Sequence, residues 1–376
     1  MYNAYFDYAA TTPVAAHLIE LYNFCQTNDW FNPSSHYAIE LQQNLRQMQR
    51  ELIHTLSLPE NGRLILTSGA TEAINLALKG SITHTSEKTI LSSNIEHAAV
   101  SNTLNFLQQT YHIPVITIPA NSQGLIDPQR VSDALTEKTV FCSWIVVQNE
   151  IGTINPVREL YQIVKKYNPN ILVHLDASQA VGKIPFNDFL PYGDLISFSG
   201  HKFFAPKGIG GLFQRSAFPL QAQIHGGGQQ SGLRGGTINY PLIRTFHQAM
   251  LDVTNYFQEN LNRVNQVHDY LINEIKKRFT ASLIINQPPV RVPHIIPLIL
   301  PGIKGEVIQN YLATEKIYIG TGSACSGHSQ KKMILTRLQK PKEIAECAIR
   351  LSISHLTTET EVDRLIQALG KISQLI

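Results

Sequence analysis

Ile171-Leu-Val-His-Leu-Asp176 and Asp194-Leu-Ile-Ser-Phe-Ser-Gly-His-Lys202 decide the fold. Each is a short apolar run that ends in polar residues. Asp176 and Lys202 stand 26 residues apart, about one strand–helix–strand unit. Two strands joined in that way run parallel, so their polar ends share one edge of a sheet. That edge is where open α/β sheets bind ligands. Working outward, residues 63–67, 89–92, 114–118 and 139–147 read as further buried strands, with helical patterns at 72–79 and 97–109. The alternation predicts an α/β fold, a mostly parallel sheet covered on both faces.

Pro241 opens a long helical stretch that runs to about Phe279. After it the elements shorten: strands at 295–300, 317–320 and 349–353 alternate with helices at 306–313 and 358–369. The expected division is a large domain over residues 1–255 and a smaller α+β domain over 256–376, with the first 15 or so residues candidates to pack on the smaller one.

The chain has 376 residues, enough for a large core without disulfide or metal staples. Its 31 basic and 28 acidic residues are spread along the chain, with no basic stripe, which argues against direct nucleic-acid binding. Neither a signal-peptide pattern nor an apolar run of membrane-spanning length occurs, so no membrane association is expected. The four cysteines, Cys25, Cys142, Cys325 and Cys347, show no zinc spacing, so no metal is expected. So few cysteines point to reduced thiols and a cytoplasmic setting. Cys142 and Cys347 read as core residues.

The chemistry-bearing residues gather at strand ends. Lys202 alone would be a surface lysine, but Asp176 at the neighbouring strand end changes its meaning. A pyridoxal-phosphate (PLP) cofactor needs a lysine for a Schiff base, a carboxylate beside the ring nitrogen, and donors for its phosphate. Thr67-Ser-Gly-Ala-Thr-Glu72 offers the third, a glycine turn into a helix N-terminus, where free N–H groups and the helix dipole suit a phosphate. An ordinary capped helix is the plain alternative. Glu96-His97 opens another helix, and His97 is read either as a cap or as a ring-stacking acid–base group. The glycine-dense segment from His225-Gly-Gly-Gly228 to Arg234-Gly-Gly-Thr237 is a loop whose Arg234 and Thr237 suit phosphate contact. Cys325 lies among small residues, Gly320-Thr-Gly-Ser-Ala-Cys-Ser-Gly327, which read as an exposed loop rather than a core strand. A cysteine there invites a reactive role. Arg350 interrupts an apolar strand pattern and needs a carboxylate, either an internal one or that of an amino-acid substrate.

Taken together, these segments resemble the cysteine desulfurases, the NifS/IscS-like branch of the class V aminotransferase superfamily. The resemblance runs from Phe6-Asp-Tyr-Ala-Ala-Thr-Thr-Pro13 to Thr357-Thr-Glu359, through Asn32-Pro-Ser-Ser35, Thr67–Glu72, Asn149-Glu-Ile-Gly152, Asp176–Gln179, Ser199–Lys202 and Gly322–Cys325. It implies the PLP-dependent transferase fold of type I and a homodimer. It implies that Lys202 carries the cofactor, Asp176 pairs with the ring nitrogen, Gln179 bonds the ring hydroxyl, and His97 stacks on the ring and moves protons. Ala70, Thr71, Ser199 and His201 would hold the phosphate, with Thr237 reaching in from a second subunit. Asn149 and Arg350 would take the carboxylate of L-cysteine, and Cys325 would receive its sulfur as a persulfide. The sequence departs from the family in small ways, such as Gly320-Thr-Gly322 before the cysteine segment and His355 where arginine is frequent. It ends at Ile376 without the tail some relatives use for an iron–sulfur scaffold. The sulfur acceptor is therefore open between such a scaffold and a tRNA-thiolating enzyme. Another class V enzyme, such as an aminotransferase or a selenocysteine lyase, would share Lys202 and Asp176 without needing Cys325. A catalytically idle sulfur-carrying protein would need neither Lys202 nor His97.

Overall fold

The computed structural model describes residues 3–59, 61–82, 88–216, 218–279, 283–284, 290–321 and 334–373. The strands in chain order are β1 (Ala4–Phe6), β2 (Arg63–Thr67), β3 (Thr89–Ser93), β4 (Val115–Ile118), β5 (Thr139–Ile145), β6 (Leu172–Asp176), β7 (Leu195–Ser199), β8 (Gly210–Gln214), β9 (Leu283–Ile284), β10 (Ile295–Ile299), β11 (Ile317–Ile319) and β12 (Ala348–Ser352).

Seven strands form the main sheet in the order β2-β8-β7-β6-β5-β3-β4. The pairs β7–β6, β6–β5, β5–β3 and β3–β4 are parallel. The expected doubly covered sheet is present, and its composition shows why. Alternate residues of a strand point to opposite faces. Ile65, Ile90, Phe141, Leu195 and Leu212 pack with the helices Ala70–Ser81 and Ala98–Tyr111 on one face. Leu64, Leu91, Cys142, Ile196 and Phe213 pack on the other, against helices that include Val157–Tyr167 and Tyr240–Asn255. Strands apolar at successive positions can only be stable between two such layers.

The sheet is mostly parallel, as expected; β8 runs antiparallel to both β2 and β7. Its sequence, Gly210-Gly-Leu-Phe-Gln214, carries two glycines and little strand signature. Two expectations need correction. Strand β4 is an edge strand with Ile116 and Thr117 exposed, not a buried one. The helical stretch after Pro241 is two helices, Tyr240–Asn255 and Phe257–Arg278, parted at Tyr256. The first packs into the core around the main sheet through Phe246, Met250 and Val253, the second into a separate core through Val264, Leu271 and Ile275. Helices Ala16–Asn28 and Ile39–Thr55 complete the first body.

The second core gathers residues 264–372 with Ala4 and Phe6 from the opposite end of the chain. There β12, β10 and β9 form an antiparallel sheet. Strand β1 pairs in parallel with β11, and Asp7 bridges to Ser352. The next residues turn back to the main sheet, where Thr12 N donates to His201 O at 2.9 Å. The N-terminal segment thus ties the two cores together beside Lys202. Of the cysteines, Cys25 and Cys142 are buried, whereas Cys347, expected in the core, caps a short helix and is only half-buried.

Candidate active site

Because β2, β3, β5, β6 and β7 point the same way, the loops that follow them open at one edge. A cavity of about 450 Å³ lies there. Its walls include Ala70, Thr71, His97, Asn149, Asp176, Gln179, Ser199, His201, Lys202 and Arg350. Ten of the twelve residues singled out from the sequence therefore meet in one place. Thr237 lines an adjoining cavity of about 190 Å³, with Thr67, Ser68 and Arg234. Cys325 lies outside the described residues.

Lys202 leaves the end of β7 through a single 3-10 turn, Gly200–Lys202. Its Nζ donates to the carbonyls of Ala9 and Ala10 at 2.8 and 2.7 Å. Gln179 Nε2 donates to the same Ala9 oxygen at 2.7 Å. Asp176 ends β6 and is 3% exposed. Its Oδ1 accepts from Ser178 N and Oγ at 3.0 and 2.6 Å. Oδ2 has no hydrogen-bond partner among the described residues, so the carboxylate presents one open oxygen at the cavity.

The helix Ala70–Ser81 starts at Gly69, whose φ of 157° is a backbone conformation that other residues rarely adopt. A Cβ on Gly210 would lie 2.6 Å from Gly69 Cα, so two glycines let β8 and this turn touch. Glu72 Oε2 accepts from Ser68 N at 2.9 Å. The Arg234 guanidinium also binds Glu72, Nε to Oε1 at 3.0 Å. Burial opposes ionisation of Glu72, but Arg234 and Ser68 outweigh it and hold its pKa below the ordinary value. Arg234, which the sequence offered to a phosphate, is thus spent on a carboxylate.

His97 is the N-cap of helix Ala98–Tyr111, with Nδ1 accepting from Ala99 N at 3.1 Å. The capping and cavity-lining readings are therefore both true of one side chain. This bond assigns the neutral proton to Nε2. His201 Nδ1 meets Thr11 Oγ1 at 3.1 Å. Burial, then Lys202, Lys207 and Lys183, lower its pKa to about 4, so it is neutral at pH 7.

Arg350 has the internal partner that the sequence allowed. Its Nη2 donates to Asp7 Oδ1 at 2.6 Å and its Nη1 to Asn149 O at 2.9 Å. Nε is buried with no partner in the described structure.

Two residues went unnoticed in the sequence reading, the wall residue Glu96 and Asp7 behind Arg350. Asp7 sits in a quoted motif, but only the fold shows that it faces Arg350. Glu96 is 4% exposed and its Oε1 accepts from Ser93 Oγ at 2.5 Å and Ile145 N at 3.1 Å. Burial raises its pKa to about 8, with Asp176 adding to the effect and the two donors opposing it. Its position beside His97 at a strand end was the available signal.

The family described as Aminotransferase class-V matches residues 4–365. The chain belongs to that family. A class-V relative from Dictyoglomus turgidum, named cysteine desulfurase IscS, is 32% identical, with 98% of this chain and 94% of that protein covered. A solved structure described as a NifS-like protein is 31% identical with a TM-score of 0.92, covering 100% of both chains. Another, described as SspA in complex with cysteine, is 29% identical with a TM-score of 0.81, covering 94% of this chain and 100% of that one. Class-V enzymes of this kind depend on PLP. The residues present fit that cofactor: a lysine amine, a buried carboxylate with one open oxygen, and a helix N-terminus meet in one cavity. Among the described residues no group of His, Cys, Asp and Glu could hold a metal, and no helix is long and apolar enough to cross a membrane.

Proposed function

We propose that this chain is a PLP-dependent cysteine desulfurase that converts L-cysteine to L-alanine and leaves the sulfur on Cys325. The observation that carries the reading is the convergence of Lys202 Nζ, the open oxygen of Asp176 and the helix N-terminus at Ala70 on one cavity. The full-length similarity to proteins named cysteine desulfurase supports the substrate, as does the relative solved with cysteine.

Bound PLP supplies an electron sink that stabilises negative charge at the substrate Cα. The chain's own residues do the rest. Lys202 would anchor the cofactor and, with its Nζ free, would take the substrate's α-proton. Asp176 would hold the ring nitrogen protonated through its open oxygen. Gln179 would donate to the ring oxygen. The N–H groups at Ala70 and Thr71, with Ser199 and His201, would hold the phosphate. His97 would lie beside the ring and pass a proton. Arg350, already oriented by Asp7 and Asn149, takes the substrate carboxylate. The Cys325 thiolate attacks the substrate Sγ; the S–S bond forms as the Cβ–Sγ bond breaks, carbon keeps the electron pair, and one proton added at Cβ and one returned to Cα complete alanine. Cys325 follows Gly320 by five residues, which an extended chain spans in at most about 18 Å. Gly320 is itself bonded to Arg350 in both directions, at 3.0 and 2.8 Å, so the cysteine segment leaves from the cavity wall.

A homodimer, in which Thr237 of a second chain would reach the phosphate, is what the family resemblance implies; here Thr237 lines the adjoining cavity with Thr67 and Ser68. Exposed Trp30 and Phe31, stacked on each other, with Tyr37 edge-on to Phe31, offer apolar surface for that contact. The parting of the two helices at Tyr256 supports a division into domains 1–255 and 256–376, although the first core also takes in Val292, Ile334 and Ala348 and the second Ala4 and Phe6. The sulfur acceptor is a scaffold for iron–sulfur assembly or a tRNA-thiolating enzyme, and the reactive thiol suits a reducing cytoplasm. The test is to incubate the purified protein with L-cysteine and a thiol reductant and quantify alanine and sulfide together. Equal amounts support the proposal; a keto acid without alanine replaces it with transamination.

A further inference from the structure

Gln179 lines the main cavity, but Lys183 does not. Lys183 borders a separate cavity of about 50 Å³ behind it, shared with Lys202 and His294. From there Lys183 Nζ donates to Gln179 Oε1, while Gln179 Nε2 donates to Ala9 O at 2.7 Å. A primary amide has one accepting end and one donating end. A lysine amine beside an oxygen donates, and a backbone carbonyl only accepts, so both neighbours demand the same orientation. Turned over, the amide would set its NH2 against the lysine and its oxygen against a carbonyl. Lys202 Nζ meets the same Ala9 oxygen at 2.8 Å. The donating edge of Gln179 is therefore held toward the group that Lys202 carries.

We propose that Lys183 is a positioning residue: from behind the cavity wall it locks the Gln179 amide so that Nε2–H faces the cofactor. This rests on the assignment of Lys202 and Gln179 to the cofactor. Lys183 touches neither substrate nor cofactor in this arrangement and acts through Gln179. Burial, Lys202 and Arg350 all push the Lys183 pKa well below the ordinary value, which favours the neutral amine, still a hydrogen-bond donor. Among the described residues its hydrogen-bond partner is the Gln179 amide, and a surface-seeking lysine gains little from staying buried there on stability grounds alone.

The test is a pH titration of the visible absorption of the PLP-loaded protein. Removing the donor frees the amide, so Gln179 Nε2–H no longer steadies the ring oxygen, which favours the protonated chromophore. In Lys183→Met, and in Lys183→Leu should Met impair folding, the midpoint should rise by about one pH unit. Lys183→Arg, which keeps charge and donor, should stay close to the wild type. In a Gln179→Ala background the shift caused by Lys183→Met should shrink to less than half, because the two residues act together. An unshifted midpoint in both neutral variants, or a full shift without Gln179, overturns the proposal. A wild-type protein that takes up no PLP overturns the cofactor assignment instead, and this proposal with it.

Discussion

Arg350 and Asp7, 343 residues apart in the chain, form an ion pair at 2.6 Å inside the cavity wall. The pair joins the N-terminal segment to β12, and Arg350 also reaches Asn149 O at the end of the main sheet. One guanidinium therefore holds three segments together. A Cβ on Gly320 would come within 2.9 Å of Asp7 Oδ1 and 3.0 Å of Arg350 Nε, so the residue beside the pair has no space for a side chain.

Removing Asp7 should be costly. Asp7→Ala leaves a buried cation without its carboxylate, a loss of about 3 kcal/mol or more for pairs of this kind. Asp7→Asn keeps an acceptor and should lose less. Urea denaturation at pH 7 measures both. Equal, negligible losses would mean that the pair contributes nothing net.

Arg350→Lys should keep the charge but lose the two-pronged geometry. The expected effect is a rise of ten- to a hundredfold in KM for L-cysteine, roughly 1.4 to 2.8 kcal/mol, with a smaller fall in kcat. Steady-state alanine formation measures the split. An unchanged KM would leave Arg350 a structural residue alone.

Cys325→Ala should bind PLP normally, retain the yellow colour and lose sulfide release. Cys347→Ala is the control, since that half-buried thiol ends a short helix outside the cavity. Full activity in the Cys325 variant would end the assignment of the sulfur-accepting group.

Glu96 makes stability depend on pH in a definite direction. Its folded-state pKa is raised to about 8 from an ordinary 4.5, so the folded protein holds this proton more tightly than the unfolded chain. The stabilisation is complete below about pH 4.5 and is lost as pH rises through about 8. Glu96→Gln, which mimics the protonated acid, should flatten that decline. Unfolding midpoints at pH 5.5 and 8.5 test it, and parallel declines in both proteins would contradict it.

Gly210→Ala should damage the phosphate end of the site. Its methyl would press on Gly69 Cα and on Phe198 O, both at 2.6 Å and both backbone, so neither can swing aside. PLP affinity, read by absorbance titration, should fall at least tenfold. Unchanged affinity would show that the turn at Gly69 tolerates displacement.

The strand ends carrying Asp176 and Lys202 were legible because burial between two layers writes continuous apolar runs into a sequence. The polar residues that end those runs stand out against them. Nine of the ten named site residues that meet in the cavity do so for the same reason, since parallel strands deliver their ends to one edge, whereas Arg350 arrives from β12 of the second sheet. Other features left no local trace. The antiparallel direction of β8 depends on its neighbours β2 and β7, not on Gly210-Gly-Leu-Phe-Gln214. The break at Tyr256 arises where one helix leaves the first core and the next enters the second. The partner of Arg350 lies at the far end of the chain, and the hold of Lys183 on Gln179 needs a cavity wall with two sides. Sequence alone determined that the strand-end residues named for the site share a sheet edge, because local burial patterns encode where strands end. Only the tertiary structure decided which charges pair and which way each polar group faces, because those depend on contacts between segments that no local pattern relates.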